Sequence, residues 1–530
     1  MTLKKYFPHL LIILLVISAY LPSFSGDFIF DDNSLVKNNP YVQDLHSLSS
    51  YLTQEDGIVD DADKNVFHTG YYRPLLNFTY FIDYKIWGMN AFGFRFTNIF
   101  LHLISCLVIF HLLLSLQIAP VSSLFAVLFF ALHPTGTESV SMVICRNNLL
   151  VTIFSVSSLI FYMESCRGRK YFSLLAALFF FLALLSKETA VMLIPIFFML
   201  NRLIRPGKCS SREEIISYMP LFLLVFFYLL LRWHLIGAFI SPIGSENFPA
   251  RLLFSPYIIA YNFVLVFFPV GLHSLYIRYP SSFIEWNVLV AYMFLIMLGV
   301  GLWKFRKKPL LTFSLISCLI AMFPVLHLIP IASPSIITMR WLYFPSAFLS
   351  IAIAYMLQSI PQGKKIFSFS IISILLIYLG AYSFTLNDTL WKNQRSFLDI
   401  EVKRFGNVLF AAPLADALLD EKKYDEAEAL YVFSLNAFPD KAKTYINYSA
   451  LLINTGRTEE AKKILIKAKA LVMTSFERCE WFNNMGVVCI NQKQTSCALE
   501  NLNSAVKNCP DNKVFRHNLQ MVDQLRCLSK

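Results

Sequence analysis

Eleven apolar runs, each close to the roughly 20 residues needed to cross about 30 Å of hydrocarbon, constrain this chain of 530 residues more than any other feature. They lie at 6–25, 97–117, 119–136, 140–163, 171–186, 188–204, 217–235, 286–304, 309–330, 341–360 and 365–384. A further run at 253–270 reads as a re-entrant or interfacial helix. Charged residues make up 15% of the chain and mean hydropathy is +0.55, whereas soluble domains carry about 25% charge. The expected fold is an all-α polytopic membrane bundle. The formal charge of +12 does not point to nucleic acid, because the basic residues gather in short clusters between apolar runs, as membrane lipids and topology require.

Lysine and arginine bias sets the orientation. Lys4 and Lys5 put the N-terminus in the cytoplasm, and the apolar start, lacking a cleavage site, reads as an uncleaved first helix. The loop 26–96 is then external. Eleven spans with 253–270 not crossing return Lys304, Arg306, Lys307, Lys308, Lys364 and Lys365 to the cytoplasm. All residues after 384 then fall on the non-cytoplasmic side, in a bacterial periplasm or an endoplasmic reticulum lumen. Two domains are expected: 1–384 in the membrane and 385–530 beyond it.

The second domain carries a period. Ala427 and Ala461 are 34 residues apart, Ala498 follows at 37, and Pro439 and Pro510 each trail their alanine by 12. That is the arithmetic of tetratricopeptide repeats, paired antiparallel helices stacking into an α-solenoid. Gly456 is assigned to a first-helix position, with Lys422 and Lys493 as its equivalents. Of the ten cysteines, Cys479, Cys489, Cys497, Cys509 and Cys527 crowd into this end. Disulfides are available to them if they face an oxidising compartment, and no CxxC pair suggests zinc.

Polar interruptions of the apolar pattern are the candidate chemistry. Asp31 and Asp32, just past the first run, need water, a cation or a proton to be tolerated beside hydrocarbon. They are the candidate acid/base pair; a solvated loop is the alternative. Glu55 to Asp63 reads as a solvated acidic surface. Arg73 lies among Tyr71, Tyr72, Tyr80, Tyr84 and Trp87, either as a lipid-phosphate ligand or within an interfacial aromatic belt. Further spots hold His133 and Glu138, then Arg146; Lys187 and Glu188; His273 to Arg278; and Arg340 within 335–346. Charged groups near spans tend to be functional, although His133 could cap a helix, Lys187 and Glu188 could neutralise each other, and Arg340 could snorkel.

In order, the motifs Phe-Asp-Asp-Asn (30–33), Asn-Asn-Pro (38–40), Tyr-Arg-Pro-Leu (72–75), Trp-Gly (87–88), Asn98 with His102, His-Pro (133–134), Thr-Glu-Ser-Val (137–140), Arg146, Leu-Leu-Ser-Lys-Glu (184–188), Arg-Trp-Leu-Tyr-Phe-Pro-Ser (340–346) and Trp391 precede the repeats. This series resembles the transmembrane-and-tetratricopeptide (TMTC-type) protein O-mannosyltransferases and their bacterial relatives, over essentially the whole chain. The resemblance implies a GT-C bundle and inverting transfer of a sugar from a polyprenyl-phosphate donor to a hydroxyl of a polypeptide acceptor bound by the repeats. It implies Asp31 or Asp32 as general base, the other positioning the acceptor or a divalent cation. Lys187, Arg340 and Arg146 or Arg73 would meet the phosphate, with Glu138 orienting them and His133 and Glu188 nearby. One departure stands out: the family's Glu-Arg is Met339-Arg340 here, so Arg340 lacks a carboxylate beside it in sequence. A non-catalytic repeat scaffold and a lipid or sugar transporter are the competing functions.

Overall fold

The computed structural model describes residues 2–39, 42–43, 56–59, 66–169, 171–204, 211–236, 248–277, 280, 282–328, 333, 335–471 and 473–528. Most of the acidic stretch 55–63, together with Arg278, Cys209 and the side chain of Cys527, lies outside the described residues. The chain divides into two compact units, Met1–Ile58 with His68–Gln394, and Val59–Phe67 with Arg395–Lys530.

The membrane unit is built from α1 (Thr2–Tyr20), α2 (Pro74–Trp87), α3 (Ala91–Ser115), α4 (Pro120–Leu132), α5 (Thr137–Ser141), α6 (Arg146–Ser165), α7 (Phe172–Ser186), α8 (Ser211–Ile236), α9 (Phe248–Phe267), α10 (Trp286–Lys304), α11 (Pro309–Met322), α12 (Tyr343–Gln358) and α13 (Lys365–Asp388). Helix starts follow local chemistry. Proline opens α2, α4 and α11, where its fixed φ suits the first turn, and the Asn90 side chain caps α3 by accepting from the Phe92 N–H. One exception to the all-α expectation is a two-stranded sheet in the first loop, β1 (Asp56–Val59) with β2 (Val66–Tyr71).

The expected eleven spans are corrected to seven among the described residues, or eight if the α4–α5 pair, bent by 51°, counts as one. The apolar helices Phe172–Ser186, Arg251–Phe267 and Pro309–Val325 are shorter than those seven. The run 188–204 breaks into a 3-10 turn (Glu188–Met192), a short helix (Leu193–Met199) and a π turn (Leu200–Ile204). The first break follows Lys187 and begins at Glu188, and the π turn holds Asn201 and Arg202, so polar residues mark both. Burial separates centre from periphery: the Val143–Ser165 window is 89% buried, the Trp286–Lys304 window 11%. α6, buried on nearly all sides, is the hub, and α10, apolar and exposed on most of its surface, faces lipid.

The unit extends past residue 384. Trp391 is fully buried and donates through Nε1 to Thr137 Oγ1 at 2.9 Å. Lys392 O accepts from the Asp27 N–H at 2.9 Å, which anchors the start of the first loop.

The repeat unit pairs α14 (Ala411–Asp420) with α15 (Tyr424–Ala437), α16 (Ala442–Asn454) with α17 (Thr458–Lys469), and α18 (Ser475–Asn491) with α19 (Thr495–Asn508); α20 (Lys513–Leu528) ends it. Ala427, Ala461 and Ala498 are fully buried in the second helices of the pairs. A Cβ on Gly486 would meet Leu502 Cγ at 2.6 Å, so only glycine allows α18 and α19 to approach this closely. Gly456 is not inside the first helix as expected. It sits in the turn after it, at φ +77°, and Lys422 and Lys493 occupy the same left-handed position at +60° and +59°. Disulfides join Cys479 to Cys509 and Cys489 to Cys497.

Candidate active site

Phe28, Val36, Leu76, Phe94 and Val143 form a small apolar core that seats the first loop on the bundle. Phe30 then takes φ +49°, uncommon for a residue with a side chain, and its N–H donates to Gln394 Oε1 at 2.6 Å. This turn gives the two aspartates different surroundings. Asp32 is fully buried and accepts three backbone N–H groups, from Ile29 (3.3 Å), Val143 (3.2 Å) and Ile144 (2.8 Å). Burial pushes its carboxyl up to about 6, against those amides and Arg95, which favour the ionised form. Asp31 remains half-buried. Burial raises its carboxyl above the ordinary carboxylate range, and Arg340 opposes that rise.

Arg340 is where distant segments meet. Glu138, fully buried, accepts the Arg340 N–H through Oε2 at 2.8 Å and lies 3.7 Å from its Nε through Oε1. Ser274 Oγ donates to the same Oε1 at 3.2 Å. The segment after α9 is held in place by an antiparallel bridge between Tyr276 and Ile337. Arg340 therefore has a carboxylate after all, supplied through space by Glu138 instead of by residue 339. Its Nη1 also lies 3.8 Å from Cys145 Sγ.

A second group adjoins this one. Lys187 is buried and donates to Asn148 Oδ1 at 2.6 Å. Burial, with Arg73 next in weight, pushes its ammonium down to about 8. Arg73 grips Glu188 bidentately, at 3.1 and 2.8 Å, and stacks on the Tyr71 ring at 4.1 Å. The Tyr71 hydroxyl lies within the electrostatic reach of Arg73, Glu188, Arg340 and Arg232. Arg232 was not expected from sequence. It lies near the end of α8, almost fully buried and hydrogen-bonded to Tyr228. The signal available was a single arginine interrupting the run 217–235. Arg73, Lys187, Arg232 and Arg340 supply cations here among the carboxylates of Asp31, Asp32, Glu138 and Glu188, and cations are what a departing phosphate requires.

Two expected ligands are committed elsewhere. Arg146 pairs with Asp83 through Nη2 and also donates to Asn98 Oδ1 (2.7 Å), Thr79 Oγ1 (3.1 Å) and Phe94 O (3.0 Å). His133 bonds Thr135 Oγ1 at 2.7 Å and Val266 O at 2.9 Å, tying the end of α4 to α9. The residues also do not fit a cation bridging the aspartates, because both oxygens of Asp32 are held by amides. Among the described residues no group of three or more His, Cys, Asp or Glu has metal-holding geometry.

Fold and site together define a multi-pass integral membrane protein with a buried charged centre and a helical-repeat region. The tetratricopeptide repeat family profile matches residues 418–472. Protein O-mannosyl-transferase F38B6.6 of Caenorhabditis elegans is 26% identical over 474 residues, covering 86% of this chain and 61% of that protein. Human protein O-mannosyl-transferase TMTC3 is 25% identical over 510 residues, covering 87% and 55%. An Archaeoglobus fulgidus oligosaccharyltransferase structure aligns over 80% of this chain and 59% of its own, at 13% identity and a TM-score of 0.44. The chain is similar in sequence to these protein O-mannosyl-transferases, carries a tetratricopeptide repeat match of its own, and spans a little over half the length of these two relatives.

Proposed function

We propose that this protein is a GT-C-type glycosyltransferase that moves a sugar, mannose first among candidates, from a polyprenyl-phosphate donor to a hydroxyl of a polypeptide. Asp31 is the general base: it takes the proton of the acceptor hydroxyl as that oxygen attacks the anomeric carbon and inverts it. Asp32 is a positioning residue that fixes the loop through three amides and so aims its neighbour. The C–O bond to the lipid phosphate breaks, and Arg340 and Lys187 meet the charge that develops there. Glu138 orients Arg340, the Arg73–Glu188 pair sets the edge of the site, and Arg232 adds to its positive field. The site is proposed to open on the non-cytoplasmic face. The observation that carries this reading is the half-buried Asp31 within electrostatic reach of Arg340, in a centre that also holds the buried Lys187 and the Glu138 that grips Arg340.

The test is transfer by purified full-length protein supplied with polyprenyl-phosphate sugars and a Ser/Thr-containing peptide. Asp31→Asn should reduce transfer by about a thousandfold, within the range for removal of a general base. Full transfer by Asp31→Asn would overturn the assignment, and no transfer by the parent with any donor would favour the scaffold.

A further inference from the structure

The membrane unit ends at Gln394, and Arg395 begins the next stretch of the repeat unit. The residues 391–394 are few, yet they reach both halves of the candidate site. Trp391 is fully buried; its backbone N–H donates to Leu386 O, near the end of α13, at 3.0 Å, and its Nε1 donates to Thr137 Oγ1 at 2.9 Å. Thr137 opens α5 and precedes Glu138, the carboxylate that holds Arg340. Lys392 O accepts the Asp27 N–H at 2.9 Å, while Gln394 Oε1 accepts the Phe30 N–H at 2.6 Å and Asn33 Nδ2 at 3.4 Å. Both groups that face Oε1 are donors, which fixes the orientation of the Gln394 amide.

From these contacts we infer that residues 391–394 are a strap and that Gln394 is a positioning residue for Asp31. Phe30 immediately precedes Asp31 and is left-handed, at φ +49°. That conformation is unfavourable for a residue with a Cβ and persists where the surroundings impose it. Gln394 supplies such a constraint from 364 residues away, by holding the Phe30 N–H in one direction. The turn at Phe30 sets how the next side chain leaves the backbone, so the grip on Phe30 aims Asp31. The loop is gripped again on the other side, where Asp32 takes the Val143 and Ile144 amides at 3.2 and 2.8 Å. Asp31 carries none of these bonds and stands between two clamps, one on each neighbour. Because Trp391 ties the strap beside Glu138, one element sets the base relative to the pair of Glu138 and Arg340. The inference rests on the proposed function only in taking Asp31 as the base.

The test compares the full-length parent with Gln394→Met, which keeps the length of the side chain and removes the acceptor. By hydrogen-exchange mass spectrometry, the segment 27–36 should be protected in the parent and exchange at least tenfold faster in the variant, with α6 unchanged. This measurement needs neither donor nor acceptor substrate. In transfer, Gln394→Met should lower kcat at least tenfold and leave the KM for donor within twofold, because a misaimed base costs rate and not binding. On the Asp31→Asn background the same substitution should cost less than twofold, since it acts through Asp31. Parent-like exchange or kcat in Gln394→Met, an unprotected segment in the parent, or a full further loss on the Asp31→Asn background would each overturn the inference. Full transfer by Asp31→Asn, or none by the parent, overturns the catalytic assignment instead, and exchange then decides whether the strap holds the loop.

Discussion

Two of the buried ionic clusters among the described residues of the membrane unit differ in saturation. Around Arg146, four of the five N–H donors are met: Asp83, Asn98, Thr79 and the Phe94 carbonyl surround the guanidinium, and Tyr80 lies 4.9 Å below it. Around Arg340 and Lys187, the charges outnumber their direct contacts. Lys187 has one hydrogen bond at 2.6 Å, Arg340 meets Glu138 at 3.7 Å, and Asp31 stays half-buried. A saturated cluster is a structural joint, here fastening α2, α3 and α6. A cluster with spare capacity is organised for a ligand. Sequence gave both arginines the same standing, as polar interruptions at the ends of apolar runs.

The comparison can be broken by substitution. The largest effect expected is loss of about a thousandfold in transfer for Asp31→Asn, with thermal unfolding unchanged, since Asp31 carries none of the loop's amide bonds. Asp32→Asn, by contrast, should lower the melting temperature as well as the activity. Next is Arg146→Met, which strands the buried Asp83 and should cost about 3 kcal/mol in denaturant unfolding. Adding Asp83→Leu should recover most of that loss. Recovery absent, or transfer lost with stability intact, would move Arg146 into the catalytic cluster.

The pH profile sharpens the same contrast. Asp31 works as a base only when ionised, and burial raises its carboxyl, so kcat/KM should fall on acidification sooner than an ordinary carboxylate predicts. Lys187 meets phosphate only when protonated, and burial brings it down to about 8, so kcat/KM should also fall as pH rises through about 8. Lys187→Arg should move that alkaline limb upward and leave the acid limb in place. A flat profile from pH 7 to 10 in the parent would remove Lys187 from the mechanism. The smallest effect lies in the repeats. Lys493→Gly relieves a left-handed lysine and should stabilise the repeat unit by about 0.5–1 kcal/mol in denaturant unfolding.

Much of the architecture was readable along the chain. Apolar runs mark the helices and a period near 34 residues marks the solenoid, because burial and periodicity are properties of neighbouring residues. Reading those runs as eleven crossings passed over their polar residues: the 188–204 stretch breaks at Glu188–Met192 and again past Met199, where Asn201 and Arg202 stand. Candidate residues were legible wherever a charge interrupted an apolar run, as with Asp31, Lys187 and Arg340. Arg232 carries the same signal within the run 217–235.

What the sequence determined by itself is a helical membrane chain followed by repeats, with a short set of charged positions that hydrocarbon does not tolerate alone. Only tertiary structure decided which of those positions are closed and which are open. It set Glu138 against Arg340 across 202 residues and Asp83 against Arg146 across 63, and it bent Phe30 so that adjacent aspartates met unlike surroundings. The reason is that apolar burial is additive along the chain, whereas the fate of a buried charge depends on a few directional partners that folding alone brings within 3 or 4 Å.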